Sequence, residues 1–428
     1  MATMTAVLIG AGQRGADAYA SYALDYPDEV KFVAIAEIDP VRRTRFQQVH
    51  AIDDAYTFES WDRLFEGPKL ADAVLICTQD QMHFEPAIRA LEKGYHVLLE
   101  KPMSPSPTEC VLMGEYAEKY KRVFSICHVL RYTEFYKKLK QLLVDGAIGR
   151  LISIQHTENV EHRHQAHSFV RGNWRNSETS SPMILAKSCH DMDILLWLAD
   201  AECTKVSSFG ALTHFRSESA PEGAPLYCLD GCPVQNECPY YAPKMYLERE
   251  DWVGSVLRKV VSNDDSREGV LQALKNGPYG RCVYHCDNNV VDHQVVNLEF
   301  ANEVTVAFTM CAFTKEGGRS MKLMGTRGQI RADMEKNVIE VSSFITGETK
   351  TIDIDAPLDG HGGGDHGIMR DFVRLVSRDG DEVGLTGARN SVQSHLMAFA
   401  AEKSRLESRV IGIEEYRNEL KTNLSIKG

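Results

Sequence analysis

The 428-residue chain has no apolar run approaching the roughly 20 residues a membrane-spanning helix needs, so no helical span is expected. It also lacks a surplus of positive charge. Lys and Arg number 48 against 60 Asp and Glu, a formal charge of -12, which argues against an electrostatic grip on nucleic acid or an anionic membrane. No internal repeat or low-complexity tract is present. No basic segment, long apolar stretch or small-residue cleavage site precedes the strand-like Ala6-Val7-Leu8-Ile9, so a cytoplasmic location is expected. The eleven cysteines are odd in number and scattered, a poor basis for a disulfide framework; packed thiols or a metal site fit better.

What is there is long enough for two domains and an insertion. The first third alternates apolar strands (about 5–9, 30–36, 72–76, 95–99 and 122–127) with helical patterns near 13–25, 40–49, 85–93 and 106–120. Such alternation builds a parallel sheet with helices on both faces, because each parallel crossover needs a long connection. Beyond 128 the texture changes. Helical patterns at 132–144 and 189–199 flank a strand at 150–158, and strands that read as antiparallel follow at 290–300, 303–312, 320–325, 328–333, 336–343 and 349–354. Helices near 365–377 and 387–407 close the chain. The expected architecture is α/β: an N-terminal parallel-sheet domain over 1–128, then an α+β domain over 129–428 with a large, open, mainly antiparallel sheet. Residues 216–289, rich in Cys, Pro, Gly and Tyr, read as an irregular insertion with too little apolar content to fold alone.

Val7-Leu8-Ile9-Gly10-Ala11-Gly12-Gln13-Arg14-Gly15 is a GxGxxG turn between a strand and a helix. Gly10 permits the tight turn, Gly12 lets a pyrophosphate approach the backbone, and Gly15 allows close helix–strand packing. The helix N-terminus supplies N–H donors and positive dipole. Glu37 ends the second strand about 22 residues beyond Gly15, as a ribose-binding carboxylate does. That carboxylate favours NAD over NADP, although Arg42 and Arg43 nearby would suit a 2′-phosphate. Candidate cofactor contacts are Gly10, Gly12, Gln13, Arg14, Gly15 and Glu37, with Thr78, His83, Glu100 and Lys101 at the carboxyl edge of the sheet. Helix capping is the alternative for Thr78 and His83.

Glu100-Lys101-Pro102 directly follows the fifth strand, where a lysine can aim its ammonium at a substrate; a cis Lys101–Pro102 bond would fix its direction. With GAGQRG at 10–15, EKP at 100–102 and the helix Cys189-His190-Asp191-Met192-Asp193-Ile194-Leu195-Leu196-Trp197-Leu198, the chain resembles the Gfo/Idh/MocA family, named for glucose–fructose oxidoreductase and inositol dehydrogenase. The resemblance implies a Rossmann domain, an open C-terminal sheet that often mediates dimers or tetramers, NAD(P) as cofactor, and a sugar, cyclitol or related polyol as substrate. It makes His190 the base that takes the hydroxyl proton and Lys101 the donor that stabilises developing negative charge. One position departs: the aspartate expected four residues before the histidine is Ala186, followed by Lys187, which becomes the candidate third member.

The polar, aromatic loop from His162 to Arg175 contributes His164, His167, Arg171, Trp174 and Arg175 as substrate-pocket candidates. His128, with Arg131 and Tyr132 beside it, and Asp193 join that set, Asp193 being as well placed to orient a neighbour. In the insertion, Cys228, Cys232, Cys238 and Cys282, with Cys286 in reserve, are candidate ligands of a structural zinc; reduced packed thiols or an iron–sulfur cluster are the alternatives. The glycine run from Asp359 to His366 suits a substrate-contacting loop or a linker, and gives His361 and His366 no role. The leading function is NAD(P)-dependent oxidation or reduction of a sugar, cyclitol or sugar derivative. A redox glycosidase that oxidises, eliminates and re-reduces is the second reading, and a catalytically silent nucleotide sensor the third.

Overall fold

A computed structural model describes residues 2–356, 361–378 and 384–427. Asp359 and Gly360 of the glycine run lie outside them. β1 (Met4–Ile9), β2 (Val30–Ala36), β3 (Thr57–Phe58), β4 (Ala73–Ile76), β5 (His96–Leu99) and β6 (Phe124–Ile126) form a parallel sheet in the order β3-β2-β1-β4-β5-β6. Burial explains the continuous apolar runs: every residue of β4 and β5 is buried, because helices cover both faces. The strand order reverses between β1 and β4, the point at whose carboxyl ends sheets of this kind bind ligands.

The first crossover departs from the expected helix. Gln13–Tyr19 winds as a π-helix, Ala20 N–H reaching back to Gly15 O, and a short α-helix follows at Tyr22–Asp25. Such turns are rare and concentrate at functional sites.

Among the described residues the second sheet has nine strands in the order β14-β13-β12-β11-β7-β10-β9-β8-β15. They are β7 (Leu151–Asn159), β8 (Cys203–Ala211), β9 (His293–Phe300), β10 (Thr305–Cys311), β11 (Gly318–Gly325), β12 (Gly328–Asp333), β13 (Val338–Ser343), β14 (Thr349–Asp353) and β15 (Ile411–Gly412). β7 and β10 pair in parallel, the other pairs antiparallel. One face packs on helices; the other is open, so β9 and β10 alternate buried and exposed residues.

Two late helices tie the domains together. Gly364–Ser377 buries Ile368, Met369, Phe372 and Leu375 in the core cluster of Met4, Leu8 and Phe32, against the first sheet. Ala388–Glu407 packs on β8 and on the helices Pro107–Tyr120 and Cys189–Ala199. The insertion, expected to be irregular, carries regular structure. It contains helices at Ala242–Tyr246, Trp252–Val261 and Arg267–Asn276, and its own cluster gathers Phe215, Tyr240, Tyr246, Val270 and Leu274 around Ala166 and Val170.

Candidate active site

The glycine turn is shaped by steric demand. Gly10 has φ +91°, and a Cβ there would lie 2.6 Å from Cys77 O; a Cβ on Gly15 would lie 2.2 Å from Gly10 O. Gly12 differs: its backbone is extended, and the nearest atom to a Cβ is the Arg42 guanidinium at 3.9 Å. The space beside Gly12 is therefore open to a ligand, and a side chain would intrude on it. Glu37, only 7% exposed, braces the turn: Oε2 accepts Ala11 N–H at 2.6 Å and Oε1 accepts Asp39 N–H at 2.9 Å. Each oxygen keeps a lone pair for a ribose hydroxyl. Gln13 is exposed at the mouth of the turn. These features fit a dinucleotide.

Arg14 and Glu100, expected as cofactor contacts, are engaged with each other. Arg14 Nε meets Glu100 Oε1 at 2.7 Å, and its Nη atoms reach Asp365 at 2.6 and 3.1 Å, Tyr19 Oη and His361 Nδ1. This knot pulls the helix Gly364–Ser377 onto the glycine turn. Burial works to raise the Glu100 pKa, but Arg14 and Lys101 outweigh it and hold the carboxylate below its usual range. Glu100 Oε2 also accepts Lys101 N–H at 2.6 Å, fixing the start of the cis Lys101–Pro102 turn.

Two further histidines hold that turn. His83 spends both ring nitrogens on backbone carbonyls, Pro102 O at 2.7 Å and Thr78 O at 3.1 Å, while Thr78 Oγ1 donates to Met82 O. These contacts correct the expectation that His83 and Thr78 offer their side chains to the cofactor: they brace the loops around it. His395, on the interdomain helix, accepts Met103 N–H at 2.9 Å; no sequence motif announced it.

Lys101 leaves this frame with its ammonium on Ala186 O at 3.0 Å and 6.0 Å from the Trp174 ring centroid. Ala186 ends a short helix just ahead of Cys189–Ala199, so the lysine of the first domain reaches the entry of the helix that carries His190 of the second. His190 is 6% exposed. Burial, then the charge of Lys101, then His128, Arg319 and His361, push its pKa well below the ordinary histidine value. The ring is therefore neutral near pH 7 and ready to accept a proton. Its neighbours are imidazoles: His128 at 5.9 Å and His361 at 6.1 Å between ring centroids. His361 enters from the glycine run, where the sequence assigned it nothing, and its Nδ1 lies 3.1 Å from Asp365 Oδ2.

The remaining candidates divide. Trp174 lies beside Lys101 and donates Nε1–H to the buried Asp80 at 3.3 Å; Asp80 also accepts Ser180 and Ser181 hydroxyls and was not foreseen. His164 is solvent-accessible yet crowded by protein, as a crevice wall is; that crowding, with Lys187, His167 and Lys101, depresses its pKa. Lys187 pairs with the buried Glu158 at 3.1 Å, so its charge is compensated. Behind it Glu158, Arg319, Asp191 and His156 form a buried network, with Arg319 Nε 2.8 Å from Asp191 and His156 Nε2 2.6 Å from the same carboxylate. None of those four was singled out from the sequence, because each sits on an element that reads as core.

The substrate expectation is corrected for five residues. His128 is fully buried behind His190. Asp193 makes a bidentate pair with Arg131, 2.7 Å in both contacts. His167 stacks on Tyr279 and contacts Tyr246 Oη, Arg175 pairs with Asp287, and Arg171 spends its guanidinium on groups of the insertion. The polar groups of His167, Arg171 and Arg175 are committed to holding the loop and the insertion together. The zinc expectation is corrected too. Cys228, Cys232, Cys238 and Cys282 line one cavity of about 10 Å³. Among the described residues, however, no three His, Cys, Asp or Glu side chains gather as a single metal ion requires.

Comparison with known proteins accords with this geometry. Residues 4–128 match the oxidoreductase family with NAD-binding Rossmann fold, and residues 140–413 its C-terminal alpha/beta domain. The chain belongs to the Gfo/Idh/MocA family. Within that family it is 22% identical over 406 residues to the putative oxidoreductase YteT of Bacillus subtilis (strain 168), covering 90% of this chain and 92% of that one. It is 29% identical over 219 residues to an inositol 2-dehydrogenase of Leifsonia xyli subsp. xyli, covering 50% of this chain and 58% of that one. Among solved structures, a levoglucosan dehydrogenase in complex with NADH and levoglucosan superposes with a TM-score of 0.70 at 18% identity, over 96% of this chain and 99% of that one. No described helix of this Gfo/Idh/MocA protein is long and apolar enough to cross a membrane.

Proposed function

We propose that the protein transfers hydride between NAD and a secondary hydroxyl of a sugar, cyclitol or sugar derivative. The observation that carries this reading is the reach of the Lys101 ammonium, from the first domain, to Ala186 O at the entry of the helix that carries His190 of the second, together with a glycine turn whose open side is at Gly12. Gly10, Gly12, Gly15 and Glu37 would hold the dinucleotide. NAD, when bound, supplies the hydride acceptor. The protein supplies the rest of the chemistry. Lys101 hydrogen-bonds the reacting hydroxyl and stabilises negative charge as it develops on oxygen. His190, neutral before reaction, takes the hydroxyl proton. Trp174 and His164 form the wall that orients the ring, and Lys187 stands in the third position through its pair with Glu158. Glu37 disfavours a 2′-phosphate by like charge, which makes NAD the preferred dinucleotide over NADP.

A second reading is favoured by one observation: the aspartate position is Ala186 while a further imidazole, His361, lies beside His190. An additional proton-transfer group suits oxidation, elimination and re-reduction on one substrate, with the cofactor recycled. The 2,7-anhydro-N-acetylneuraminate hydratase of Escherichia coli (strain K12) is 27% identical over 125 residues, which cover 29% of this chain and 32% of its own.

Copies of the chain are proposed to assemble through the open sheet face, where Phe209 is 65% exposed and Thr305, Ala307 and Thr309 present small side chains. Eleven free thiols fit a reducing, cytoplasmic setting. The functional test identifies any copurifying nucleotide by mass spectrometry, then screens free polyols and aryl glycosides in parallel while following NADH. Net NADH from a polyol supports the first reading; glycoside cleavage without net NADH supports the second. Turnover of neither would leave only a nucleotide sensor.

A further inference from the structure

We propose that the insertion forms the outer wall of the dinucleotide site, and that Asn263, hydrogen-bonded to Asp39, latches this wall shut over bound NAD. The inference rests on the reading that a dinucleotide lies across the glycine turn. The insertion is held to the first domain on both sides of that turn. On one side, residues 174–181 are tied to the end of the insertion: Arg175 pairs with Asp287 at 2.7 Å, and Asn289 N–H donates to Arg175 O at 3.0 Å. The same stretch grips the loop after β4, where Trp174 and Ser181 donate to Asp80 at 3.3 and 2.7 Å and Gln81 Nε2–H donates to Glu178 O at 3.0 Å. On the other side, just beyond β2, Asn263 Nδ2–H donates to Asp39 Oδ2 at 3.2 Å.

The strand order turns these two anchors into a bridge. β1 lies between β2 and β4, so a body fixed beyond the carboxyl ends of both flanking strands passes over the end of β1, where the glycine turn stands. The helix Trp252–Val261 leads to the latch, its 10 residues spanning about 15 Å. Asp251 caps its first turn. Gly254 N–H and Arg249 hold that carboxyl below its usual range, and the Arg163 guanidinium adds to the pull. Arg163 directly precedes His164, so the helix starts on the side of the substrate wall and runs toward the ribose-binding turn.

Asp39 couples the latch to the cofactor. Its N–H donates to Glu37 Oε1 at 2.9 Å, and its Oδ1 caps the next helix through Val41 N–H and Arg42 N–H. Its other oxygen takes Asn263, so a single residue joins the ribose carboxylate to the insertion. Apolar surface is left uncovered on both parts. At the turn, Ile38 is 84% exposed; on the helix, Trp252 is 69% exposed, while Leu257 and Val261 pack instead on the insertion's own core. An adenine held between Ile38 and Trp252 would cover both and stack on the indole. Entry and exit of the dinucleotide then require the Asn263–Asp39 bond to open.

The test follows NADH fluorescence during stopped-flow binding to the full chain, and during release into excess NAD. Asn263 does not contact the dinucleotide, so Asn263→Ala should speed binding and release together, each by about threefold or more, with little change in affinity. Asn263→Asp, which sets a second carboxylate against Asp39, should speed both further. Trp252→Ala should speed release by about fivefold or more through lost stacking. In the wild-type chain, NAD should slow amide hydrogen exchange over residues 252–261 by about tenfold or more. NADH binding with wild-type rates in all three variants, or exchange over 252–261 unchanged by NAD, would overturn the outer wall and leave the dinucleotide reading standing. A wild-type chain that binds no NADH would overturn that reading, and the wall with it.

Discussion

Three glycines share one motif but carry different burdens, and alanine at each should separate them. At Gly10 the backbone lies at φ +91°, where a side chain costs about 1–2 kcal/mol, and the new Cβ would meet Cys77 O at 2.6 Å. At Gly15 the Cβ would press on Gly10 O at 2.2 Å, a backbone atom that moves only with the turn itself. Each change should cost at least about 2 kcal/mol and lower the apparent Tm by several degrees. Gly12 is extended, with nothing nearer than 3.9 Å, so Gly12→Ala should leave the Tm of the ligand-free protein within about a degree. Its methyl group would occupy the approach of the pyrophosphate. NAD affinity should fall at least tenfold, or about 1.4 kcal/mol. Thermal unfolding and NAD titration, run on all three variants, provide the comparison. Wild-type NAD affinity in Gly12→Ala, or an unchanged Tm in Gly15→Ala, would refute the assigned roles.

The depressed pKa of His190 keeps its neutral form present as pH falls, so the acid limb of kcat/KM should lie below the ordinary histidine value of about 6.5; a limb at or above that value would contradict the burial argument. Stability should follow the same sign. His167, pushed down to about 4 by burial and Arg171, and His395, pushed down to about 3 by burial and His128, refuse protons that the unfolded chain accepts. Each therefore contributes stability above pH 6.5 that is lost at up to about 1.4 kcal/mol per pH unit as pH falls toward the folded pKa, and an apparent Tm flat from pH 7.5 to 5 would oppose this. Asp193→Asn leaves Arg131 buried without its carboxylate and should cost about 3–5 kcal/mol; Arg131→Met with Asp193→Leu should recover much of it, and strict additivity in denaturant melts would argue against the pair.

The elements with strong periodicity were legible in the sequence: β2 falls at 30–36, β12 at 328–333 and the His190 helix at 189–199, as their patterns indicate. β8 was not, because Thr204, Lys205, Ser207 and Ser208 mask the alternation of a strand with one open face. β3 and β15, two residues each, are set by neighbouring strands rather than by their own composition. At the site, GAGQRG and EKP announced themselves because a tight turn and a strand end impose local residue types. Asp80, His395 and the Glu158–Arg319–Asp191 network act through partners up to 292 residues away, a pairing no local pattern encodes. Arg171 illustrates the converse. A polar loop suggests substrate binding, but the folded chain turns that guanidinium inward onto the insertion.

A crystal structure of the protein soaked with NAD is the measurement that bears most directly on the catalytic reading. The pyrophosphate should lie against Gly12, with the nicotinamide ring facing a space bounded by the Lys101 ammonium and the His190 imidazole, from which a hydroxyl could approach to about 3–3.5 Å. A nicotinamide bound outside that space, or the two side chains drawn apart around it, would contradict the reading.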